Sequence, residues 1–251
     1  MMSYVYAVTD RPNEPLPQQL GLGDEVLARV VFSDIGAVVS VHDGSHVTAA
    51  ADKVWRHEQV AESLMSAHAV LPMRYGTLLA SLDEVEGMLR RGYPKFVEDL
   101  ARVRDHVEVG IRFMVLREPA AISATGGNSQ LLQSDALAQS ATAPGTAYLR
   151  TKLTKEHERR DRHRADLELV RKTYRILAEH AAAAKLDDDR GDAPAVSAAF
   201  LVHRGGLAAF KKLVARLADA DLDLALLCTG PWPAYSFVSA HAGQSMQRGG
   251  S

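Results

Sequence analysis

Near its C-terminus the chain reads Gly230-Pro231-Trp232-Pro233-Ala234-Tyr235-Ser236-Phe237. The two prolines fix φ at 231 and 233 and push Gly230 and Trp232, the residues before them, towards extended backbone. Three aromatics within six residues therefore sit on a stiff scaffold. An apolar run, Leu222 to Leu227, precedes it and reads as a buried strand. Two roles fit: a rigid corner that closes a sheet, or a docking surface preorganised by proline, which lowers the ordering cost of binding. The segment holds no nucleophile–base pair and no metal-ligand spacing, so it points to packing or binding.

Upstream, strand and helix signals alternate. Tyr4–Val8 is a short β-rich run closed by a proline-rich loop, and Ala28–Phe32 with Ala37–Val41 reads as a hairpin. From Ala50 to His68 the apolar period becomes helical. Val70–Leu79 reads as a strand. Ser81 is a helix N-cap with Asp83 and Glu84 in the first turn, and that helix is expected to break near Gly92-Tyr93-Pro94 and resume through Arg104. Val107–Leu116 alternates as a closing strand. The order β-ββ-α-β-α-β predicts a ferredoxin-like α+β sandwich over 1–117, its helices on one face of the sheet.

From 118 to 145 Ala, Ser, Thr, Gln and Gly dominate, which predicts a flexible linker or loop. A second α+β unit is expected over 146–239. It opens with a long helix from about Thr146 to Lys185 whose middle, Lys155 to Asp166, is nearly all charged. An acidic turn at Asp187–Asp192, a strand at Val196–His203, a helix at Gly206–Asp219 and strands at Leu222–Thr229 and Tyr235–Val238 follow. The tail 240–251 is polar and expected to be disordered.

Composition narrows the function. A net charge of −2 gives no global attraction to nucleic acid or membrane. Between Arg150 and Arg175, ten Lys/Arg face five acids, but pairs such as Glu156–Arg160 at i,i+4 make this a solvated, ion-paired helix. Cys228 is the sole cysteine. The N-terminus lacks the pattern of a secretory signal and no run approaches the ~18 apolar residues that span a bilayer, so a soluble cytoplasmic protein is expected. His57-Glu58 lacks the second histidine of a zinc helix, and His57 and His68 are expected to hydrogen-bond in the core. Arg74, within an apolar strand, needs a partner, and an ion pair with Glu58 or Glu62 is expected. No catalytic residue, cofactor site or metal site is visible. The candidate binding or structural residues are Arg74, Tyr75, Trp232, Tyr235 and Phe237.

Several stretches resemble, in order, the gas vesicle protein F/L family. They are Tyr4-Val5-Tyr6-Ala7-Val8, Ile35–Ser40, His57-Glu58-Gln59-Val60, Val70–Thr77, Pro144-Gly145 with Tyr148-Leu149 and Lys152, and the closing Gly-Pro-Trp-Pro-x-Tyr-Ser-Phe. Three positions depart from the family pattern: Ala7 stands for a usual Gly, Ala234 for a usual Pro, and Arg104-Asp105-His106 for a Gly-containing turn. The resemblance implies a non-enzymatic accessory protein for gas vesicle assembly, associated with gas vesicles. Its implied partners are the hydrophobic main shell protein and other accessory proteins, with no nucleic acid and no lipid membrane. The alternative is a small-molecule-binding or enzymatic domain on a ferredoxin-like scaffold.

Overall fold

A computed structural model describes residues 1–44, 46–116, 144–187 and 195–239. The linker expected from 118, up to residue 143, the acidic turn beyond Asp187 and the tail from 240 lie outside these residues. The class is α+β, with two antiparallel sheets.

The first sheet is built around β1 (Met2–Asp10). β3 (Ile35–His42) pairs with it on one side and carries β2 (Ala28–Phe32) outside; β4 (Val70–Pro72) and β5 (Leu78–Leu79) pair with the other side. β1 is buried on both faces, which explains why its sequence runs apolar without alternation. Helix α1 (Ala51–Leu64) packs Val60 and Leu64 with Tyr4, Tyr6 and Val38. Helix α2 (Leu82–Val103) packs Val85, Leu89 and Phe96 with Val5, Val8, Ala37 and Val39. Alternate strand residues serve alternate helices, so the two helices cover opposite faces rather than the one face expected.

Local rules set the elements. Ser81 accepts the Glu84 N–H at 3.2 Å, and the Glu84 carboxylate accepts the Ala80 N–H at 2.8 Å, a reciprocal cap. α2 does not break at Pro94. It runs through because its apolar face is held along its whole length, and because Gly92 leaves room for Phe96, whose ring would lie 2.6 Å from a Cβ there.

The second sheet has the order β7-β8-β6-β9, formed by β6 (His106–Val115), β7 (Ala183–Asp187), β8 (Ala195–His203) and β9 (Leu224–Trp232). β6 thus leaves the first half, which it was expected to close, and pairs with β8 and β9. With α3 (Pro144–Ala178) and α4 (Leu207–Ala220), the second unit has the order β-α-β-β-α-β of a ferredoxin-like unit, with β6 as its first strand, whereas the order expected over 1–117 was β-ββ-α-β-α-β. Val109, Ile111 and Phe113 of β6 face Val170 and Leu177 of α3 and Phe210 and Val214 of α4. The helix expected to reach Lys185 stops at Ala178. Ala183–Asp187 pairs with β8 instead; tertiary pairing overrides the helical preference of an alanine run.

Candidate functional site

The C-terminal motif begins in a bulge. Glu108 lies opposite Trp232 and Gly110 opposite Thr229, so β9 carries one extra residue at Gly230-Pro231, whose peptide bond is cis. Gly230 has φ +101° rather than the extended backbone expected, and a Cβ there would meet the Glu108 carbonyl oxygen at 2.8 Å; only glycine fits. The chain then leaves the sheet, and the strand expected at 235–238 is a short 3-10 turn, Tyr235–Phe237.

This strap is held at every residue from 234 to 239 except Val238's backbone. Ala234 and Phe237 enter the core that α2 shares with the first sheet and with Leu201 of the second. Ser236 donates its N–H and its Oγ–H to the two Glu108 carboxylate oxygens, both at 2.7 Å. Ser239 donates its N–H at 2.9 Å and its Oγ–H at 3.0 Å to Asp99 of α2. Arg102 donates to the Phe237 carbonyl at 2.7 Å and is ion-paired with Asp99. Lys185 donates to the Ser236 carbonyl and sits 5.5 Å over the Phe237 ring. Asp99 is 1% and Glu108 9% exposed. Burial raises the Glu108 pKa, while the Ser236 donors and the Lys185 charge act against the rise.

Tyr235 turns the other way. Its hydroxyl oxygen is buried and makes no hydrogen bond of good geometry among the described residues. Burial raises its pKa, and the facing Glu58 carboxylate raises it further through its charge and through the hydroxyl's interaction with it, with Tyr4 and Glu108 contributing. Tyr4 stands at the centre of an aromatic cluster in which its ring lies 4.8 Å from Tyr6, 5.7 Å from His57 and 6.3 Å from Tyr75. His57 Nε2–H donates to the Met73 carbonyl at 3.0 Å, so Nδ1 accepts the Tyr4 O–H at 2.9 Å. The Tyr4 oxygen accepts the Gly76 N–H at 3.1 Å, and Tyr75 donates to the Thr48 carbonyl at 2.9 Å. Tyr75 and Tyr235 therefore both approach Tyr4, whereas Phe237 enters a different core and Trp232 stays at the sheet margin.

Both histidines hydrogen-bond in the core as expected. His57 is fully buried, and His68 donates from Nδ1 to the Asp10 carbonyl at 3.0 Å. Burial lowers both pKa values. The native state therefore prefers neutral imidazole, and stability is present above the ordinary histidine value and lost as pH falls through it. The melting temperature is expected to drop between about pH 7 and 5, and His57→Gln to flatten that slope; a parallel slope in the variant would contradict the assignment.

Arg74 is not where its partner was expected. β4 ends at Pro72, so Arg74 falls in a turn closed by Thr77, whose N–H (3.2 Å) and Oγ–H (2.7 Å) both reach the Arg74 carbonyl, with Gly76 at φ +83°. Its side chain is exposed and makes no ion pair among the described residues. The charge needs no partner because water supplies one. Arg74→Met is thus expected to shift stability by no more than about 0.5 kcal/mol, checked by a urea melt.

The surface that sequence reasoning missed is the face of the second sheet opposite α3 and α4, much of which no described residue covers. Gly110, Arg112 and Met114 of β6 lie in register with Ala199, Ser197 and Ala195 of β8 and with Thr229, Leu227 and Ala225 of β9. Leu227 is 50% and Leu116 53% exposed. A groove of about 620 Å³ runs along it, lined by Glu108, Gly110, Lys185, Asp187, Ser197 and Ser236 among others. The signal was available: in β6 the odd positions are large and apolar, while Glu108, Gly110 and Arg112 are charged or small. Among the described residues no cluster of three or more His, Cys, Asp or Glu could hold a metal, and no helix is long and apolar enough to cross a membrane.

Residues 2–239 match the family model described as gas vesicle synthesis protein GvpL/GvpF. The chain is similar to gas vesicle protein F of Streptomyces sp. (strain CB03234), 26% identical over 95% of this chain and 100% of that one. It is also similar to gas vesicle protein F2 of Halobacterium salinarum, 24% identical over 98% and 97%. The fold resembles the crystal structure of GvpF from Anabaena sp. PCC7120, with TM-score 0.71 and 17% identity over 95% and 96% of the two chains. It likewise resembles GvpF from Microcystis aeruginosa, with TM-score 0.68 and 16% identity over 95% and 99%.

Proposed function

Because the chain belongs to the gas vesicle synthesis protein GvpL/GvpF family, we propose that it serves gas vesicle assembly as a non-enzymatic accessory protein in the cytoplasm, binding the hydrophobic main shell protein and other accessory proteins. The match across nearly the whole chain carries this reading. A very apolar subunit aggregates unless it is covered, and the face of the second sheet opposite α3 and α4 offers a broad surface with small residues at its centre and Leu227 and Leu116 exposed among the described residues. The strap braces that surface; its aromatics are mostly spent on the fold.

The alternative, a ligand-binding or enzymatic domain, draws on the groove beside Glu108. Both Glu108 oxygens are already occupied by Ser236, which favours the assembly role. Co-purification of the main shell protein with the folded chain tests the proposal. Leu227→Asp is expected to weaken that association by tenfold or more with an unchanged melting temperature. A folded wild-type chain that retains no gas vesicle component would overturn it.

A further inference from the structure

Since β6 belongs to the second sheet, the two units are joined through Arg104 and Asp105 alone, between the end of α2 and the start of β6. Asp105 has φ +59°, a left-handed conformation that Asp tolerates better than most residues. Such a short connection leaves the angle between the units to whatever braces it.

One side of the joint is tied by Arg204. Its N–H donates to the Asp105 carbonyl at 2.8 Å and its guanidinium to the Met65 carbonyl at 2.6 Å. The Arg104 guanidinium lies 3.4 Å from Asp10. Leu201 of β8 packs in the core of α2 and the first sheet, and Val107 of β6 in the core under α1; the polar ties on the other side come from the C-terminal strap. Asp99 stands about one turn before the joint and Glu108 three residues after it. Each receives an N–H and an O–H from one strap serine, Ser239 on Asp99 and Ser236 on Glu108. Arg102 from α2 and Lys185 from β7 add a bond each to the carbonyls between them. Phe237 fills the gap. The strap thus spans the joint with polar contacts to both units; its departure would leave Glu108 without its hydrogen-bond donors and Asp99 with only its ion pairs to Arg102 and Lys95.

We propose that residues 233–239 form a clasp that fixes the angle between the two units, and that releasing it lets them turn about Arg104-Asp105. Opening the clasp withdraws Ala234 and Phe237 from the core between α2, the first sheet and Leu201, while the core under α1 and the core of β6–β9 with α3 and α4 contain no strap residue.

The test measures the distance between the units in the full chain. Spin labels are placed at Val26→Cys in the first unit and Leu222→Cys in the second, positions 75% and 87% exposed, in a Cys228→Ser background. With the strap intact, a single narrow distance distribution is expected. The Ser236→Ala/Ser239→Ala double variant is expected to broaden it by at least twofold, while circular dichroism shows that variant folded. Asp99→Asn, which keeps the shape of the acceptor, is a second variant for use if the double one fails to fold, with the same broadening expected. A distribution unchanged in the folded variant overturns the proposal.

Discussion

Replacing Phe237 by alanine is expected to lower the free energy of unfolding by about 3–5 kcal/mol, the range for a large aromatic removed from a core. The ring is 4% exposed. It packs in the cluster that holds Leu100 and Val103 of α2, Val5 and Val8 of β1 and Leu201 of β8, so the cavity would open where three layers meet and none can collapse alone. Loss of the Lys185 contact over the ring adds a smaller amount. The measurement is a urea midpoint at constant slope. Trp232→Ala is the internal comparison: Trp232 is half-buried at the sheet margin, and its loss is expected to cost less. A Phe237→Ala chain with a wild-type midpoint would return the motif to the docking role left open by its sequence.

Tyr4→Ala is expected to be as damaging, again about 3–5 kcal/mol, because Tyr4 is fully buried at the centre of the aromatic cluster. Tyr4→Phe separates shape from chemistry. It keeps the ring but leaves His57 Nδ1 and the Gly76 N–H without their partner, and each orphaned buried group costs about 1–3 kcal/mol. Burial raises the Tyr4 pKa well above the ordinary tyrosine value, so the hydroxyl donates at any working pH. The expectation is a clear loss for Tyr4→Phe that His57→Gln does not simply add to, since the two residues share one hydrogen bond. A neutral Tyr4→Phe, or strict additivity with His57→Gln, would show that the Tyr4–His57 bond contributes nothing.

What could be read from the sequence follows the range of the forces involved. The Ser81 cap, the 28–42 hairpin and the histidines in hydrogen-bonded core positions rest on contacts between near neighbours or on plain desolvation cost. The stiffness of the Gly-Pro-Trp-Pro segment was visible too, though its direction was not: Gly230 takes a positive φ, and the residues after Pro233 leave the sheet. Misplaced elements share another cause. β6 has the alternation of a strand wherever it pairs, so nothing local says which sheet receives it. Ala183–Asp187 is intrinsically a helix former held extended by β8. Arg74 looked buried because Val70–Leu79 looked continuous, and only the turn at Gly76 brings it to water. The candidate surface rests on cross-strand registers between residues 106 and 232, which no local pattern contains.

The placement of β6 also bears on how the chain comes off the ribosome. Every partner of the first sheet lies within residues 1–79, so that sheet, with α1 and α2, can assemble early. β6 follows α2 directly, but Met114 must wait for Ala195, and Glu108 for Trp232. Through that interval both of its edges stay open beside an apolar row of Val107, Val109, Ile111 and Phe113, the condition under which nascent chains associate wrongly. A nascent or truncated chain ending near 117 therefore carries this open strand, and one ending near 103 does not. The last strand and the strap complete both the sheet and the joint, so an interrupted chain lacks its lock.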